Sequence, residues 1–78
     1  MTLTVANIVG AGKEIMMRCS RESIHKYRDM TIANGYTESE ANEWVFKYLV
    51  FFALDIANID FEDAKCIANY VMGYYNIM

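Results

Sequence analysis

One histidine, two cysteines and a band of arginines and lysines are the side chains in this 78-residue sequence whose types suit chemistry, and their spacing excludes most of it. His25 would need a nucleophile and an orienting group, and Ser20, Ser23 and Cys19 fall at helical spacings that bring no third partner to it. Cys19 and Cys66 are isolated, with no CxxC pair, so with a single histidine they supply too few converging ligands for zinc. The carboxylates Glu38, Glu40, Glu43, Glu62 and Asp63 gather at two expected helix starts, where capping and the helix dipole account for them. Val9-Gly10-Ala11-Gly12-Lys13 has the look of the end of a phosphate loop, but the upstream glycine, the following Ser/Thr and the preceding strand are missing. A non-enzymatic protein without metal or cofactor is the expectation.

The charge pattern says more. Five of the seven basic residues, Lys13, Arg18, Arg21, Lys26 and Arg28, lie between positions 13 and 28, whereas the C-terminal half is acidic. Glu14 stands four residues before Arg18 and Glu22 four before Lys26, the favourable order for helix-surface ion pairs. Arg21, His25 and Arg28 remain without such partners and share one helical face, and Lys13 joins them across a bend. A cationic stripe of this kind is a candidate anion site, with Tyr27 or Tyr36 available to stack on a ring. A solvated basic face is the competing reading.

The elements that must position this stripe are helical. There is no proline and there are only four glycines, so few breakers interrupt the chain. Val5, Ile8, Val9, Gly12, Ile15, Met16 and Cys19 form one stripe of a helix running from Leu3 to Cys19, and two glycines in one turn, Gly10 and Gly12, suggest a kink or a close helix contact. Ser20 either caps a new helix or lies inside one bent helix spanning 3–34. Asn34-Gly35 is a helix stop, and Thr37 with Glu40 forms a capping box. The helix this box opens carries Ala41, Trp44, Val45, Tyr48, Phe52 and Ile56 on one face, while Leu49, Phe51 and Leu54 make its middle apolar nearly all round. Asp60 caps a last helix with the stripe Phe61, Ala64, Ala68, Val71, Met72 and Tyr75. The expected fold is an all-α bundle of three to four helices with a C-terminal antiparallel helical hairpin, in one domain over residues 1–78.

Composition bounds the partners. A chain this short buries about 60–65% of its unfolded surface, so a 55% hydrophobic content predicts a homo-oligomer, with Leu49, Phe51 or Leu54 between subunits. The longest apolar run, Tyr48 to Leu54, is far short of a bilayer span, and no secretory leader is evident, so a cytoplasmic protein without a membrane partner is expected. The turn at Asn34 to Thr37 has the outline of a helix-turn-helix, but its second helix opens on Glu38, Glu40 and Glu43, which would repel phosphates and exclude DNA.

In size, all-helical layout, lack of catalytic groups and Asn/Ile/Met-rich composition, the whole chain resembles small bacteriophage accessory proteins. In outline it is most similar to the phage sponges that sequester cyclic oligonucleotide signals of the bacterial anti-phage system called CBASS. The likeness is one of size and layout, and no family residue is carried over. It implies an oligomer holding a cyclic di- or trinucleotide between subunits and countering host immune signalling. Two other functions fit the same sequence: an anti-CRISPR-like antagonist binding a host enzyme or nuclease through its acidic helix starts or aromatic helix, and a structural or lysis-control bundle.

Overall fold

Short polar side chains decide where each helix begins. The computed structural model describes residues 4–77, and among them four helices follow one another with no strand: α1 (Val5–Arg18), α2 (Arg21–Ala33), α3 (Glu38–Ile56) and α4 (Phe61–Tyr74). Thr4, Ser20, Thr37 and Asp60 are the N-caps, each with extended backbone and a side-chain oxygen accepting the amide three residues on. The expected Thr37 box is formed: the Glu40 amide donates to Thr37 Oγ1 at 3.1 Å, and the Thr37 amide donates to Glu40 Oε1 at 2.9 Å. A second box, Thr4 with Asn7, opens α1, and the start expected at Leu3 lies outside the described residues. Because Ser20 caps α2 and Cys19 is extended, the segment before Asn34 is two helices rather than one bent one.

Two helices end in the same way. Gly35, at φ +103°, follows α2, with the Tyr36 amide on the Thr31 carbonyl at 3.4 Å and the Gly35 amide on Ile32 at 3.0 Å. Asn76, at φ +57°, plays the glycine's part after α4, with the Ile77 amide on Met72 at 3.0 Å and the Asn76 amide on Gly73 at 3.2 Å. The reversal turns Ile77 back into the core, where it is buried.

α4 is the spine of the bundle, packed on α3 and on α1, while α2 leans mainly on α3. The short connection from Ala57 to Asp60 makes α3 and α4 a hairpin. Its core face on α3 is Ala41, Val45, Leu49, Val50 and Ala53, which differs from the expected stripe. Trp44 and Tyr48 lie outside that face and stay part-exposed, with Tyr27 of α2 against Tyr48 and Tyr36 of the following turn against Trp44. Leu49, expected between subunits, is fully buried within the single chain and is unavailable to a second one. Leu54 is half-buried and packs on the same core, which leaves Phe51, 65% exposed, as the outward residue of the three.

The paired glycines of α1 have different roles. Gly12 is buried against the Tyr70 ring of α4, where a Cβ would stand 2.7 Å from Tyr70 Cε1, whereas a Cβ at Gly10 would meet nothing within 4 Å. The close helix contact, and not a kink, explains Gly12. Gly12→Ala should therefore lower stability by about 1–3 kcal/mol through overpacking. Gly10→Ala should raise it by about 0.5–1 kcal/mol, since only helix propensity changes there. Urea denaturation of the two variants checks both signs, and equal shifts would mean that α1 does not rest on Tyr70.

Candidate functional site

The cationic stripe of α2 is partly spent on holding the bundle together. Arg28 donates from Nε to Asn42 Oδ1 at 2.6 Å, and its terminal nitrogens lie 3.6 Å from Glu38 and 3.8 Å from Asp29. The guanidinium thus bridges α2 to the start of α3, and its side chain is largely covered. His25 Nε2 stands 2.8 Å from the Tyr75 carbonyl, and because a carbonyl only accepts, the ring donates from that nitrogen. Tyr27 packs on Tyr48 with ring centroids 5.5 Å apart. Arg28 and Tyr27 therefore face α3, away from the residues that join Arg21.

Arg21 is exposed and makes no ion pair within 4 Å among the described residues. It lines, with Glu22 and His25, an open depression of about 410 Å³. A neighbouring depression of about 370 Å³ is lined by Lys13, Met16, Met17, Tyr74 and Tyr75. They share no lining residue, but the hydrogen bond from His25 to the Tyr75 carbonyl links one to the other. Lys13 and Arg21 thus flank the place where α1 ends, α2 begins and α4 finishes. Neither charge is in an ion pair among the described residues; Arg18 pairs with Glu14 at 3.0 Å as expected, while the expected pair of Glu22 with Lys26 is not among those the described residues form. Glu22 places one carboxylate beside Arg21, so the corner is cationic but not uniformly so.

Sequence reasoning missed Tyr74 and Met17, both strongly exposed here. Tyr74 immediately precedes the core residue Tyr75 and Met17 follows the partly buried Met16, each a 100° step off the buried stripe, so that periodicity alone marks them only as surface. Together the corner offers two cations and an exposed aromatic face, the groups that hold an anion attached to a planar ring.

Tyr75 fixes this corner. Its hydroxyl donates to the Cys19 carbonyl at 2.6 Å, at the junction of α1 and α2, and its ring is buried. Burial raises the Tyr75 phenol above the ordinary tyrosine value, with Cys19 and Tyr74 adding to the effect. Burial likewise raises Tyr48, beside Cys19 and Tyr27.

Comparison with family models, curated proteins and solved structures finds no match to this chain. Among the described residues no helix is long and apolar enough to cross a membrane, and no group of three or more His, Cys, Asp or Glu is placed to hold a metal ion.

Folding favours the neutral phenol of Tyr75, so its stabilisation is fully present below the ordinary value of 10 and is lost as pH rises through the higher folded value. Tyr75→Phe should cost about 1–2 kcal/mol at neutral pH, because the Cys19 carbonyl loses its donor. The variant should also lose less stability than the parent on going from pH 9 to pH 11, which thermal melts across that range would show.

Proposed function

We propose that this is a non-enzymatic binding protein that sequesters an anionic, ring-bearing ligand of the nucleotide class at the Lys13–Arg21–His25–Tyr74 corner. The observation that carries the reading is a pair of cations without ion-pair partners among the described residues, Lys13 in a depression it shares with the exposed Tyr74 ring and Arg21 in a second one linked to the first through the His25–Tyr75 hydrogen bond. Arg28 and Tyr27, which belonged to the stripe read from sequence, are assigned instead to the α2–α3 contact. Cyclic di- and trinucleotides are the ligands that the outline likeness to phage sponges names, and removing such a signal from the host cytoplasm would counter immune signalling. Sequestration needs no reacting group: it needs only that phosphate charge and a base be held together.

A second reading, an antagonist of a host protein, is favoured by a separate observation. Tyr36 and Trp44 meet edge to face at 6.1 Å, and Tyr27, Tyr48 and Phe52 form a row with centroid spacings of 5.5 and 6.2 Å. Trp44, Tyr48 and Tyr36 each keep about two-fifths of their surface exposed, the composition of a protein-contact anchor.

Titration calorimetry against a panel of cyclic di- and trinucleotides tests the proposal. Lys13→Ala and Arg21→Ala should each weaken binding by about 1.5–3 kcal/mol, the range for a charge-assisted hydrogen bond, while Arg18→Ala, already paired with Glu14, should change little. Intact nucleotide recovered after heat denaturation marks sequestration, and cleaved nucleotide marks a hydrolase. No binding by any member, with a host protein retained through Trp44, gives the function to the second reading.

A further inference from the structure

The outward face of α3 carries a feature that neither the core nor the ligand corner uses. Phe51 projects from the middle of that face, with Lys47 four residues before it and Asp55 four residues after, all three exposed. Beside Phe51 runs an apolar groove of about 390 Å³ lined by Phe46, Lys47, Val50, Phe51 and Phe61. Phe61, at the start of α4, is itself 52% exposed. One patch therefore holds both a protruding ring and a recess beside it, so it is shaped to accept a copy of itself across a two-fold axis.

The charges select the direction of that pairing. Neither Lys47 nor Asp55 makes an ion pair among the described residues, and Lys47 instead lies 5.4 Å above the Trp44 ring. Eight residues apart on a helix, the two are about 12 Å from each other and cannot pair within one chain. We infer that two copies of this protein associate through antiparallel α3 helices crossing at Phe51, each Phe51 seated in the other's groove and each Lys47 paired with the partner's Asp55. Parallel pairing at the same ring would instead set Lys47 against Lys47 and Glu43 against Glu43. Antiparallel pairing satisfies both charges twice. The surface lies near the opposite end of α4 from Tyr74, about 20 Å along the helix, so the inference stands independently of the ligand reading.

Sedimentation equilibrium of the full chain, with thermal melts to confirm folding, reads the association. The parent is expected to dimerise, and Phe51→Ser to raise the dissociation constant by roughly tenfold or more. Lys47→Asp and Asp55→Lys should each weaken the dimer, because each sets like charges together, and the double exchange K47D/D55K should restore it. Phe51 is exposed, so these changes leave the monomer core intact. A protein that stays monomeric at about 100 μM overturns the inference, as does a dimer indifferent to Phe51 or a charge exchange without rescue. Because nucleotide binding is measured separately, a parent that stays monomeric yet binds nucleotide counts against this surface and not against the corner.

Discussion

Tyr75 connects three helices through two ends of one residue. Its hydroxyl reaches the Cys19 carbonyl where α1 stops, and its own carbonyl, left without an intrahelical donor at the end of α4, receives His25 from α2. A buried carbonyl without a donor is costly, so both bonds are constraints on where α2 starts and not decoration of a finished fold. Ile24 is the one buried side chain of α2, and its other ties run to α3, from Arg28 to Asn42 and Glu38 and from Tyr27 to Tyr48. The reversal at Asn76 and Ile77 closes the arrangement by burying the chain end against the core. Tyr75 thus adds to the α1–α4 packing the two bonds that tie α2 to the corner gathering Lys13, Arg21 and Tyr74.

The local signals were legible because the interactions behind them span three or four residues. Thr37 and Asp60 cap the helices that the sequence has them open, Ser20 takes the first of its two open readings and caps α2, Gly35 ends α2, and the all-α fold follows. The stripe Arg21, His25 and Arg28 was equally regular in sequence, but what became of it was set by residues far along the chain. Arg28 found Asn42 and Glu38, and His25 found a backbone carbonyl 50 positions away that no side-chain pattern announces. The same limit explains α3. A helix apolar nearly all round was seen to need cover on several sides, but its sequence does not say which sides its neighbours take, so Leu49 was read as outward and Trp44 as inward.

Side-chain size decided which sides those were. The inner positions are rich in small residues: Gly12 against Tyr70, with Ala41, Ala53, Ala64 and Ala68 fully buried. Small residues let helix axes approach closely, and the room they leave is taken by few rings, Tyr70 over Gly12 and the buried Tyr75. Phe46 and Phe52 pack on the core partly buried, and Trp44, Tyr48, Phe51, Phe61 and Tyr74 are left substantially exposed. The excess of apolar residues over what a short chain can bury is thus not spread evenly. It collects on the α3 face, along the α2–α3 flank and at the end of α4.

Exposed rings do little for a monomer, and their value to an assembly can be bounded. Covering a ring as open as Phe51 removes on the order of 100 Å² from water, worth about 2–3 kcal/mol. Association costs about 4–15 kcal/mol in lost freedom before any contact is made, so one such ring falls short. A two-fold axis changes the count, since every contact on an isologous patch occurs twice. Phe51 and Phe61 from two chains then contribute four rings, and Lys47 with Asp55 contributes two cross-chain pairs that also fix the direction of packing. A hetero-partner would have to supply equivalent groups of its own on a surface of matching shape. Symmetry lets a small chain with few large side chains reach the needed total from one helix face, which is why the Phe51 patch is better suited to a second copy than to an unrelated partner.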